Sequence, residues 1–243
     1  QKKIIIQALK KNGHTVGMSG DGVNDVLAFK EADVSIAMNS GSDIAKSSAN
    51  LVLLDSNFDA LPEVLYEGRR VINNIQRVAT LFLTKTVFSI LLTLITILLP
   101  FEYPFIPIQL TFVSTFTIGI PAFFIAIEPN RKRVENRFLE NILKVSLPAG
   151  VSVVLSILLI YLLSTIKQYP NEIITLLSVI TIAINGCIVL TKVSKPYTVL
   201  RKVILALAYI CILIGLFFGE SIINIAPIEI TKIYLEVILI LII

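Results

Sequence analysis

From Leu81 to its last residue the chain is a series of apolar runs, near 81–99, 106–127, 145–166, 173–190, 203–219 and 233–243. A helix needs ~20 apolar residues to cross the hydrocarbon of a bilayer. The first five runs read as full membrane spans and the sixth as a short or partial one. Lys85 is the one charge in the first run, and Glu236 the one charge in the last. The chain as a whole is 55% hydrophobic, with a mean hydropathy of +0.84. That exceeds an ordinary soluble domain. The excess is uneven: residues 1–80 balance acidic and basic side chains, and no aspartate follows Asp59. A small soluble unit followed by a membrane domain fits this division.

Loop charges give the orientation. The loop from Glu128 to Lys144 carries Arg131, Lys132, Arg133, Arg137 and Lys144, and the loop from Thr191 to Lys202 carries Lys192, Lys195, Arg201 and Lys202. The alternate loops are poor in basic residues. The basic loops and residues 1–80 therefore fall on one side, read as the cytoplasmic one. The net charge of +4 lies largely in these loops. A nucleic-acid binder would instead gather its charge on a soluble face, so no nucleic-acid partner is expected. Cys187 and Cys211 sit in apolar runs without ligand-like spacing and read as packing residues. The chain opens inside a helical pattern without an initiating Met, which reads as a piece of a longer protein.

Residues 1–57 alternate helix and strand signals. "KIIIQALKK" reads as an amphipathic helix stopped by Asn12-Gly13. "HTVGMS", "DVSIAM" and "NLVLLD" are strand candidates. "DVLAFKEA" and "GSDIAKSSA" are the intervening helices, the second with Ser42 as N-cap. Such alternation predicts a parallel α/β sheet, here an incomplete one. Residues 58–80 read as a stalk helix. Pro62 falls near its start, where proline is tolerated, and no breaker separates it from the first span.

The chemistry concentrates at Gly20-Asp21-Gly22-Val23-Asn24-Asp25. Asp21 follows a strand, at the edge where α/β sheets bind ligands, and Gly22 is expected to permit a sharp reversal. Mg²⁺ takes one or two carboxylates together with phosphate oxygens and water, which Asp21 and Asp25 can supply. A Gly-Asp-Gly turn alone is also ordinary loop chemistry.

The longer stretch "SGDGVNDVLAFKEADVSIAM" closely resembles the TGDGVND hinge segment of P-type cation-transporting ATPases, within the haloacid dehalogenase-like superfamily. "NLVLLDSNFDAL" and "EGRRVINNIQR" resemble that family's approach to its stalk, and "PIQLTFVSTFTIGIPA" resembles one of its membrane helices. The resemblance implies a partial haloacid dehalogenase-like Rossmannoid phosphorylation domain over 1–57, the stalk over 58–80 and a bundle of about six transmembrane helices over 81–243. It implies an ATP-driven ion pump of the plasma membrane working through an aspartyl phosphate, with Mg²⁺ and ATP as cofactors. Asp21 would be the Mg²⁺ ligand, Lys2 would steady the phosphoryl charge, and Asn24 and Asp25 would hydrogen-bond around the acyl phosphate. The family's D-K-T-G-T nucleophile segment is not in this sequence, so the missing N-terminal half of the pump is an expected partner, with ATP bound mainly there.

By the same resemblance, the ion pathway uses the first two spans. The candidate positions are Thr84, Lys85, Thr86, Ser89, Ser114 and Thr117, and neither span contains Asp or Glu. An intramembrane lysine is costly and by default functional, although near a span's end it can snorkel to the surface. Gly119 and Pro121 are expected to unwind the second span locally. Asn185 is expected to make an interhelical hydrogen bond. Two rival readings stay open: a non-catalytic membrane remnant or regulator with a decayed haloacid dehalogenase-like domain, and a pump of this family for a lipid or organic cation.

Overall fold

In a computed structural model, which describes residues 1–99 and 102–225, the chain forms two compact units, Gln1–Glu67 and Gly68–Ile243. The run near 233–243, with Glu236, lies outside the described residues.

The first unit is a three-stranded parallel sheet. Its elements are α1 (Lys2–Lys11), β1 (Gly17–Gly20), α2 (Val26–Glu31), β2 (Val34–Met38), α3 (Asp43–Ser48) and β3 (Leu51–Leu53), with short 3-10 turns at Val23–Asp25 and Phe58–Ala60. The strand order is β1-β2-β3, with Gly17 opposite Val34 and Ile36 opposite Leu51. Parallel neighbours need a crossover, and α2 and α3 provide the two. α1 ends where expected, because Gly13 takes φ +81°, a conformation that costs glycine little. The Ser42 hydroxyl accepts a hydrogen bond from the Ala45 N–H and caps α3. Two small apolar clusters fill the unit. Ile6, Val16 and Ala28 form one, and Phe29, Ala37 and Ala45 the other, with Met18 touching both. A polar tie supplements them: Asn50 Oδ1 accepts from both the N–H and the hydroxyl of Ser35, and the Asn50 N–H donates back to Ser35 Oγ.

The second unit is helical. The stalk and the first apolar run are one helix, α4 (Leu61–Leu98). It is followed by α5 (Pro107–Ser114), a π-helical turn at Thr115–Gly119, α6 (Ile120–Ile127), α7 (Phe138–Lys167), α8 (Asn171–Val193), α9 (Val199–Phe217) and α10 (Gly219–Ile223). Five helical segments among the described residues are long and apolar enough to cross a membrane: Phe58–Leu98, Pro107–Ile127, Phe138–Lys167, Asn171–Val193 and Val199–Phe217. The most apolar window of α8 is 61% buried, against 22–28% for the other four, so α8 is the central helix. Its Leu176, Val179, Ala183 and Cys187 share a core with Phe88 and Leu92 of α4, Val113 of α5 and Val153 and Ile157 of α7. Large apolar side chains such as Leu98, Phe123, Leu155, Leu162 and Phe217 stay exposed, as lipid-facing surfaces require. Close approach depends on small residues, as is usual in membrane bundles. A Cβ on Gly150 would stand 2.5 Å from Val87 Cγ1, and one on Gly186 would stand 3.0 Å from the Thr117 side chain.

Candidate functional site

The acidic loop is built at the end of β1. Gly20 closes the strand, and the backbone passes through Asp21 and Gly22 into the 3-10 turn Val23–Asp25. The side chain of Asp25 folds back under this loop and is 5% exposed. Its Oδ1 pairs with Lys2 Nζ at 2.6 Å, and its Oδ2 accepts from the Gly22 N–H at 3.4 Å. A Cβ on Gly20 would meet Asp25 Oδ2 at 2.4 Å. The steric demand for glycine therefore sits at Gly20. This corrects the expectation for Gly22, whose φ of −105° is open to any residue. Gly41 is equally constrained, since its Cβ would lie 2.6 Å from the Asp21 carbonyl oxygen. That carbonyl accepts from the Ser42 N–H at 2.8 Å, which fastens the loop to the start of α3.

Electrostatics at Asp25 follow from these contacts. The hydrogen bond from Lys2 holds its carboxyl below the usual value, and the Gly22 N–H assists, while burial pushes the other way. Asp25 is thereby committed to Lys2, which itself stays largely exposed, 62% by side chain. Asp21 and Asn24 are exposed. Sequence reasoning allowed Asp21 and Asp25 to share a metal, but the structure gives Asp25 to Lys2 and leaves Asp21 as the open carboxylate. No group of three or more His, Cys, Asp or Glu side chains among the described residues is placed to hold a metal. One open carboxylate suits Mg²⁺ that draws its remaining ligands from phosphate oxygens and water.

Within the helical unit, Thr84 and Lys85 of α4, Ser114 of α5, Thr117 and Ile118 of the π-helical turn, and Asn185 of α8 line one small cavity of about 20 Å³. That is room for about one water molecule. Thr84 donates to the Thr80 carbonyl at 2.8 Å and Thr117 to the Val113 carbonyl at 2.7 Å. Each hydroxyl oxygen keeps lone pairs for a further donor or a cation. Asn185 donates from Nδ2 to Ser152 Oγ at 2.9 Å and to the Ala149 carbonyl at 3.3 Å, which leaves its Oδ1 as an acceptor. The expected interhelical bond is present, and Asn185 also reaches the cavity. Thr86 is exposed and bonds the Phe82 carbonyl. Ser89 meets Tyr103. Neither lines the cavity. Where Gly119 and Pro121 suggested local unwinding, the helix instead takes a π turn at Thr115–Gly119, a feature frequent at functional sites.

Sequence reasoning did not single out a buried polar network in the same unit. Glu128 and Arg201 form an ion pair with side chains 7% and 4% exposed. Thr198 donates to Glu128 Oε1 at 2.6 Å, and Arg201 Nη1 donates to the carbonyls of Ser194, Lys195 and Pro196. Asn74 of α4 donates to the Glu128 carbonyl at 2.7 Å and accepts from Asn130 at 3.2 Å. The available signal was weak: Glu128 and Arg201 each stand beside an apolar run in a loop that carries several other charges.

Residues 2–65 match the family model of haloacid dehalogenase-like hydrolases. The chain is 41% identical over 229 residues to the calcium-transporting ATPase CtpE of Mycobacterium tuberculosis, which covers 87% of this chain and 29% of that protein. It is 42% identical over 214 residues to the probable cation-transporting ATPase exp7 of Streptococcus pneumoniae, covering 84% of this chain and 27% of that protein. It is also 39% identical over 125 residues to a calcium-transporting ATPase of Bacillus subtilis, covering 51% of this chain and 14% of that protein. The chain thus spans less than a third of the length of the curated relatives it matches. One alignment runs through both the haloacid dehalogenase-like unit and the apolar helices, so the chain is similar to cation-transporting ATPases over most of its own length.

Proposed function

We propose that this chain is the part of an ATP-driven cation pump that pairs one half of the phosphorylation site with the pathway for the ion. The observation that carries the proposal is the identity of about two residues in five with pumps named for calcium or cation transport, sustained over 87% of the chain. The phosphorylated aspartate comes from the remainder of the pump. Asp21 holds Mg²⁺, which neutralises phosphate charge when bound. Lys2, oriented by Asp25, presents its ammonium to the phosphoryl oxygens, and Asn24 adds a hydrogen bond. α4 carries the state of this loop toward the cation path. Residues 1–80 face the cytoplasm and the pump resides in the plasma membrane.

The cargo is an inorganic cation. A cavity of about 20 Å³ suits a dehydrated ion and is far too small for a lipid or an organic cation. Thr84, Thr117 and Asn185 supply neutral oxygens beside Ser114. Lys85 adds positive charge to the same wall and tunes which ion is accepted. Relatives' names point to calcium. Calcium takes six to eight oxygen ligands, so carboxylates from the rest of the pump would complete its site.

The test is Asp21→Asn in the full-length protein. Phosphoenzyme formation from ATP is expected to be lost while the membrane unit stays folded. Phosphoenzyme at the unmodified level would remove Asp21 from the site.

A further inference from the structure

A second, larger cavity of about 200 Å³ opens in the helical unit at the end that carries the basic loops. Its wall brings together Arg77 of α4, Asn141 of α7, and Lys192 and Lys195 at the end of α8, with Gln76 beside them. No acidic side chain lines it. Among the described residues none of these three cations is paired with a carboxylate. Glu128, which acts on Arg77 at a distance, is committed to Arg201. Arg77 donates from Nη1 to the Val193 carbonyl at 2.8 Å. Its Nε and Nη2 have no protein partner among the described residues, and Arg77 as a whole is half-buried.

A helix C-terminus and membrane topology would account for two exposed lysines, one in the last turn of α8 and one just beyond it. They do not account for an arginine from a different helix, turned into the same cavity with half of its donor fork unused. A planar fork with free N–H groups beside two ammonium groups is the donor set that recognises phosphate oxygens. Val145 and Val193 complete the wall with apolar surface. Basic pockets between transmembrane helices are suited to anionic lipid head groups.

We propose that this cavity binds a phosphate-bearing anion, supplied by the head group of an anionic phospholipid, with Arg77 as the fork and Lys192 and Lys195 as the flanking charges. The site is separate from the acidic loop and does not depend on the pumping reading above. The experiment uses the full-length protein, delipidated in neutral detergent, with its melting temperature followed as dioleoylphosphatidylglycerol, dioleoylphosphatidylcholine or inorganic phosphate is added. Phosphatidylglycerol is expected to raise the melting temperature saturably, and phosphatidylcholine is not. In Lys192→Gln/Lys195→Gln, which alters only exposed side chains, the half-saturating concentration should rise on the order of tenfold or more. Arg77→Gln should weaken it similarly. An equal, variant-sensitive response to inorganic phosphate would keep the site and assign it to a free anion. A response to phosphatidylglycerol that is absent, or unchanged in both variants, would overturn the proposal.

Discussion

Two ion pairs divide this molecule's treatment of charge. In the α/β unit, Asp25 is enclosed while its partner Lys2 stands open to solvent, 62% exposed by side chain. In the helical unit, Glu128 and Arg201 are both sealed; the Glu128 carboxylate accepts a further hydrogen bond from Thr198, and the Arg201 guanidinium donates to loop carbonyls. A half-open pair can be approached by an anion and exchange partners. A closed pair cannot, and its desolvation is offset only while every contact is kept. The first arrangement suits chemistry that must turn over. The second suits fixing three pieces of chain, α4 through Asn74 and the loops that follow α6 and α8, in one geometry.

The contrast breaks first at Arg201. Arg201→Met leaves Glu128 buried and unpaired, and should destabilise the helical unit by about 3–5 kcal/mol, read as denaturant or thermal unfolding in detergent. Replacing both partners by apolar residues should restore most of that loss. A single-variant cost below about 1 kcal/mol would mean that the pair is wet and that the contrast is false. Next comes Gly150→Ala, which tests whether the helical unit is as tightly closed as its ion pair. Its methyl group would overlap Val87, and overpacking of this kind costs about 1–3 kcal/mol.

The smallest effect belongs to the half-open pair. The carboxyl of Asp25 titrates below its ordinary value when folded. Its stabilisation is therefore complete above the unfolded value, near 3.9, and disappears as pH falls through the lower folded value. Asp25→Asn should lose less than about 1 kcal/mol, and should flatten the fall in stability of the α/β unit below about pH 4. An unaltered acid limb in thermal unfolding of that variant would show that Lys2 contributes nothing there.

What the sequence disclosed follows the range of the interactions. The strands, the helix stop at Asn12-Gly13 and the Ser42 cap are local, and each is written in a few adjacent residues. The acidic loop is local as well, so its place after a strand was readable, but the choice of glycine that it cannot give up was not. That choice depends on Asp25 folding back onto Gly20, a contact made only in three dimensions. The apolar runs announced the spans by length alone. The cavity beside Lys85 was half visible: Thr84, Ser114 and Thr117 were candidates because the family resemblance put the ion pathway in the first two spans, and Asn185 arrives from a later helix. The Glu128–Arg201 network could not be anticipated, because its partners are separated by 73 positions and each looks like one more loop charge. The pairing of Asp25 was likewise hidden, because Lys2 lies 23 residues upstream of it.

The π turn at Thr115–Gly119 has a bearing on how this membrane segment can vary. A π turn holds one residue more than the α-helical path it replaces. Its wider turn absorbs that residue, so removing it would restore an ordinary α-helical path and leave Ile120–Ile127 facing the neighbours it faces now. The same deletion in the regular helix on either side would rotate everything beyond it by about 100°, so this turn is where the segment tolerates a change of length.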